Sequence, residues 1–124
     1  MTGNLRKVED FVAAWNRRDR DAILGAFAVD AIYHNIPMTP AVGLAEIEDT
    51  IDRLLPGMSD VEWVITAIAE TSDGRVLTER TDSFKLNGSP VSLPVMGVFE
   101  FEGHGLISRW ADYFDLQSYL SQIR

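Results

Sequence analysis

The sequence predicts an α+β fold, with three N-terminal helices packed on one face of a curved, cone-shaped, mixed β-sheet. Apolar residues recur at helical spacing as far as Leu55 and then switch to a period of two. Hairpin signals punctuate the second half, at Ser72-Asp73-Gly74, Asn87-Gly88 and Gly103-His104-Gly105. Helices that precede strands, rather than alternate with them, imply segregated layers instead of a doubly wound sheet.

Taken in order, Val8, Phe11, Val12 and Trp15 place a helix over residues 5–17, with Asn4 as a candidate N-cap. Asp19 or Asp21 opens a second helix running through Ile23, Ala26 and Phe27. Residues 31–36 are β-prone and are stopped by Pro37-Met38-Thr39-Pro40. A third helix spans residues 44–55 and closes at Pro56-Gly57. Strands then follow over 61–70, 75–86, 91–101 and 106–115, with a short closing helix over 116–123. Pro94 and Gly97 suggest a bulge or an edge position in the third of these strands.

A chain of 124 residues with 46% apolar and 24% charged residues suits one globular domain spanning 1–124. Its net charge of −8 argues against nucleic-acid and anionic-membrane partners, which need a basic surface. With no cysteine there is no thiolate nucleophile, disulfide or Cys-based metal site. No spacing suggests another metal site, and no cofactor is called for. Residues 1–7 lead into a charged helix rather than an apolar signal, and no apolar run reaches membrane-spanning length. The cytoplasm is the expected compartment.

The chemistry lies in two strands. On Thr78-Glu79-Arg80-Thr81-Asp82-Ser83-Phe84, Arg80 and Asp82 share a face. On Ser108-Arg109-Trp110-Ala111-Asp112-Tyr113-Phe114, Asp112 sits between Trp110 and Phe114. A carboxylate among aromatics needs a partner, and Arg80 is the obvious one. Tyr33 and Asn35 share a face of the early strand, with His34 on the other. Directed into one cavity, these five polar groups would be ringed by Trp110, Phe114, Met96 and Val98, while Met38, Leu54, Leu55, Met58, Met96 and Leu93 either line it or fill the sheet–helix interface.

Two aspartates against one arginine leave a buried charge of −1, which is costly, and one bound proton neutralises it. The resting state is then a carboxylate and a carboxylic acid bridged by an arginine, a base and an acid ready together. A water held by Tyr33 and Asn35 could be deprotonated by one while the other protonates a leaving oxygen. Hydrolytic opening of a strained epoxide suits such a push and pull. The same trio is also what a purely structural ion cluster would show. Neither His34 nor His104 stands in a triad-like setting.

Tyr33-His34-Asn35-Ile36-Pro37, Thr78-Glu79-Arg80-Thr81-Asp82, Gly97-Val98-Phe99 and Trp110-Ala111-Asp112-Tyr113-Phe114-Asp115 together resemble the limonene-1,2-epoxide hydrolases, in order and spacing, from Trp15 to Leu116. The chain departs at Ala111, where related enzymes often carry arginine. The resemblance implies the cone-like fold of nuclear transport factor 2 and ketosteroid isomerase (the SnoaL-like and cystatin-like group), and a homodimer. It implies Asp112 as the base, with the water also held by Tyr33 and Asn35. Asp82 would be the acid and Arg80 the bridge, acting without a covalent intermediate on a small hydrophobic, cyclic or terpene-like epoxide to give the vicinal diol. Two other readings share the fold: a ketosteroid isomerase-like isomerase or polyketide cyclase, and a non-catalytic binding module. The isomerase chemistry wants a carboxylate near the position of Asn35, whose amide cannot take a proton.

Overall fold

The computed structural model describes residues 3–123. Helix α1 (Gly3–Arg17) buries Val8, Phe11, Val12 and Trp15, the i, i+3, i+4, i+7 stripe expected of an amphipathic helix, with Ala14 beside them. Asn4 lies inside the helix rather than capping it, and its Nδ2 donates to the Gly74 carbonyl at 2.9 Å, tying α1 to the turn at residues 71–75. Helix α2 (Arg20–Gly25) is capped by Asp19, whose Oδ1 accepts from Ala22 N at 3.1 Å. It stops before Phe27, which opens strand β1 (Phe27–Asn35) instead. Pairing overrides helical spacing there: Phe27 lies opposite Ile107, and Ile107 N donates to the Ala26 carbonyl at 2.8 Å.

A two-residue strand, β2 (Ala41–Val42), precedes α3 (Leu44–Leu54), which buries Ile47 and Ile51. A single 3₁₀ turn at Leu55–Gly57 leads into β3 (Met58–Glu70). Strands β4 (Val76–Leu86), β5 (Ser89–Phe101) and β6 (Ile107–Tyr113) and helix α4 (Leu116–Gln122) complete the order. Asn87 and Gly88 take φ of 50° and 87°, as a two-residue hairpin turn requires.

The six strands run β2-β1-β6-β5-β4-β3 in one curled, unclosed sheet, mixed because β1 pairs with β6 in parallel and every other neighbour is antiparallel. That parallel pairing sets Tyr33 beside Trp110 and Asn35 beside Asp112. The β4–β5 ladder is unbroken from Val76↔Phe99 to Leu86↔Ser89, so no bulge occurs at Pro94 or Gly97 against β4. Pro94 lies in the part of β5 that runs beyond β6, whose last partner pair is Met96↔Tyr113, so that stretch is a local edge. Helix α4 covers it: Gln122 accepts from Ser92 N at 2.7 Å and donates to the Ser92 carbonyl at 3.1 Å.

The core is aromatic and centred on Trp110. Phe11 meets its edge at 4.9 Å between centroids, while Tyr33 and Phe99 stack on it at 4.3 Å and 5.7 Å. Truncating a buried ring of this kind costs about 3–5 kcal/mol. The third helix presents Glu48 and Asp52 to solvent, where both bind Arg20 from α2, at 2.7 Å and 2.6 Å. No helix of the described residues is long and apolar enough to cross a membrane.

Candidate active site

Arg80 is 1% exposed, and all five of its N–H groups are used. Nε and Nη2 donate to Asp82 Oδ1 and Oδ2 at 3.0 Å and 2.8 Å. Nη1 and Nη2 donate to Asp112 Oδ1 and Oδ2 at 3.2 Å and 2.8 Å. The remaining Nη1 bond goes to Thr78 Oγ1 at 3.2 Å, which also lies 3.4 Å from the Gly97 carbonyl as its donor. A guanidinium forked onto two carboxylates has no freedom left, so it fixes the spacing of both acids.

Close approach makes this possible. A Cβ on Gly97 would stand 2.5 Å from Arg80 Nη1 and 2.6 Å from Asp112 Oδ1. Glycine is needed there for space, not for φ. Asp112 gains one further donor, Trp110 Nε1, at 2.7 Å. Among the described residues, Asp82 has only the two bonds from Arg80.

Burial raises the Asp82 carboxyl above the usual carboxylate range; the Arg80 bonds and charge oppose this, and the Asp112 charge adds to it. Burial also works against the Arg80 charge, but the two carboxylates outweigh it and raise its pKa further, so it is a permanent cation. The Tyr33 phenol is raised by burial first and by the Asp112 charge second, and stays protonated. Asn35 Nδ2 donates to the Tyr33 hydroxyl at 3.2 Å, leaving that phenolic proton free to donate elsewhere.

A cavity of about 180 Å³ opens onto this group. Tyr33, Asn35, Asp82 and Asp112 all line it, so four of the five polar residues singled out in the sequence share its wall, with Arg80 behind the carboxylates. Met58, Leu93 and Phe114 line it too. Three expected lining residues do not. Trp110 is fully buried in the core and touches the site from behind, through its N–H to Asp112 and its stack on Tyr33. Met96, 49% exposed, and Val98 lie on the opposite face of the sheet, paired with Glu79 and Leu77. Alternation on β5 puts Leu93, Val95, Gly97 and Phe99 inward, so Met96 and Val98 were one residue out of phase.

Several lining residues went unnoticed in the sequence. Phe84 lies two residues beyond Asp82, and Val95 two beyond Leu93, so the same alternation points to both. Leu54 and Met38, which the sequence offered as lining or interface residues, line the cavity, and so do Thr50 from α3, Tyr119 from α4 and Trp63 from β3, which it did not offer. Nothing local distinguishes them. A larger depression of about 530 Å³ lies between α1, α2 and the β5–β6 turn, but its charges, Lys7, Asp10 and Arg17, belong to a helix surface with no buried acid. Among the described residues no group of three or more His, Asp or Glu is arranged to hold a metal ion.

The sequence model of the limonene-1,2-epoxide hydrolase catalytic domain matches residues 2–124. The chain is 36% identical over 110 residues to the epoxide hydrolase EphG of Mycobacterium tuberculosis, covering 88% of this chain and 71% of that protein. A solved structure of an M. tuberculosis limonene-epoxide-hydrolase-like epoxide hydrolase superposes with a TM-score of 0.83 at 30% identity, over 97% of this chain and 88% of that one. A putative polyketide cyclase of Pseudomonas putida superposes over the full length of both chains at 0.87 and 20% identity, a likeness of fold alone. With the buried Asp–Arg–Asp cluster in place and the match running through nearly every residue, the chain belongs to the limonene-1,2-epoxide hydrolase family.

Proposed function

We propose that this protein opens a cyclic or terpene-like epoxide to its vicinal diol in one step, without a cofactor or a covalent enzyme intermediate. The observation that carries the reading is the unequal bonding of two carboxylates around one arginine. Asp112 accepts three hydrogen bonds and Asp82 two, and burial raises Asp82. The shared proton therefore belongs on Asp82, and Asp112 is the partner left to act as base. Asp112 takes a proton from a water oriented by Tyr33 and Asn35. The water oxygen attacks one oxirane carbon as the opposite C–O bond breaks, and Asp82 gives its proton to the departing oxygen. The extra proton then left on Asp112 returns to Asp82, restoring the pair. Arg80 holds the acid and the base at fixed separation through the cycle.

An isomerase or cyclase reading shares the fold but would need a carboxylate in the place of Asn35. Two substitutions test the hydrolase reading: Asp82→Asn and Asp112→Asn are each expected to lower diol formation by at least about a thousandfold in a folded protein. Near-normal turnover in either would sink it. A single turnover in ¹⁸O-water separates the mechanisms. Label in the first diol released supports direct attack, whereas unlabelled oxygen delivered from an aspartate would mean an ester intermediate.

A further inference from the structure

Trp63 is held at the cavity wall by three independent contacts. Its ring stacks on Trp15 with centroids 4.8 Å apart and planes 18° from parallel. The Arg80 guanidinium carbon lies 5.3 Å from its ring centroid, within range of a cation–π contact. Its own peptide group is clamped by Asn16 of α1, whose Oδ1 accepts from Trp63 N at 2.7 Å and whose Nδ2 donates to the Trp63 carbonyl at 3.1 Å. Trp63 lies opposite Asp82 in the β3–β4 ladder, beside the acid. A ring stacked on one side, facing a cation and pinned through its backbone cannot swing aside for a larger ligand.

The space left is small. An apolar cavity of about 150 Å³ takes one benzene ring, and drug-sized ligands occupy about 300–1,000 Å³. A cavity of about 180 Å³ falls close to the first of these. At its half-buried margin stand Phe84, Phe114 and Tyr119, which add ring faces and edges, with Met38 exposed beside them.

We propose that Trp63 sets the size limit of this pocket, and that the substrates are one-ring epoxides, cycloalkene or aryl oxides, with two-ring epoxides rejected. This rests on the epoxide-hydrolase reading of the same site. It narrows that reading to a substrate class through a residue that takes no part in the proton transfers.

The test is a comparison of kcat/KM for cyclohexene oxide, styrene oxide and trans-stilbene oxide on the full-length protein. The wild type is expected to favour the two one-ring substrates by about 100-fold or more, and Trp63→Val to narrow that preference about tenfold. A melting curve checks that the variant is folded, and if it is not, Trp63→Phe is read in its place, with a smaller change in the same direction. A wild-type preference under about tenfold, or an unchanged preference in a folded variant, overturns the proposal. Absence of diol from all three epoxides would refute the reaction and not the size limit. Melting shifts with 1-phenylethane-1,2-diol and with hydrobenzoin then decide the limit directly: a shift with the first alone supports it, and any other result overturns it.

Discussion

Trp110 and Asp112 stand two residues apart on β6 and are joined by an N–H···O bond of 2.7 Å between the indole and Oδ1. One tryptophan thereby serves two levels of structure. Its ring is the centre of the aromatic core, and its single polar atom points at a carboxylate that also holds Arg80. The bond gives Asp112 a donor that Asp82 lacks, and the proposed division of labour between the two acids rests on it.

Trp110→Phe keeps a buried ring and removes that donor. A hydrogen bond to a charged group contributes about 1.5–3 kcal/mol, so kcat should fall about 10–100-fold with KM little changed. Placed on Asp112→Asn, the same substitution should cost nothing further in rate, because the group it serves is already gone. Steady-state kinetics of the two single variants and the double variant measure this, and additive losses would show that Trp110 acts through packing.

The raised Asp82 carboxyl makes a prediction about pH whose sign is fixed. The folded protein holds this proton at pH values where the unfolded chain has released it. The stability it contributes is complete below the unfolded value, near pH 3.9, and is lost as pH rises through the higher folded value. Activity should fall over the same upper window if Asp82 is the proposed general acid, because it has then lost its proton. Melting temperatures and kcat/KM across that range should decline together in the wild type, and Asp82→Asn should flatten the stability profile. A variant that retains the wild-type slope would remove Asp82 as its source.

Gly97→Ala tests the close packing behind the cluster. The new methyl group would press on Arg80 Nη1 and Asp112 Oδ1, and neither can retreat, since the guanidinium has every N–H engaged. Overpacking of this kind costs about 1–3 kcal/mol, and a displaced acid–base pair loses about 100-fold in rate. Denaturant melts and diol assays should both register the change. An unaltered enzyme would mean that the cluster is softer than its bonding suggests.

The acid pair and its arginine were legible because strand alternation is local: residues two apart share a face whatever lies across the sheet. Asp112 between Trp110 and Phe114 was visible for the same reason, and so was the Asn87-Gly88 turn. Where phase was misjudged, as at Met96 and Val98, the error was a single residue, and on a pleated strand one residue exchanges inside for outside. Phe27 was misplaced on a helix because its spacing from Ile23 suits one, while its pairing with Ile107, far along the chain, carries more energy than propensity does.

Side-chain chemistry, helical and strand periods and turn residues are properties of neighbouring positions, and the amino-acid order alone specified them: an α+β chain with one arginine and two aspartates facing inward. The parallel β1–β6 register that carries Asn35 to Asp112, the fifth Arg80 bond to Thr78, the Trp110 donor and the place of Trp63 in the cavity wall belong to the folded chain. Those depend on contacts between residues distant in sequence, where burial and packing choose among arrangements that local preference leaves equal.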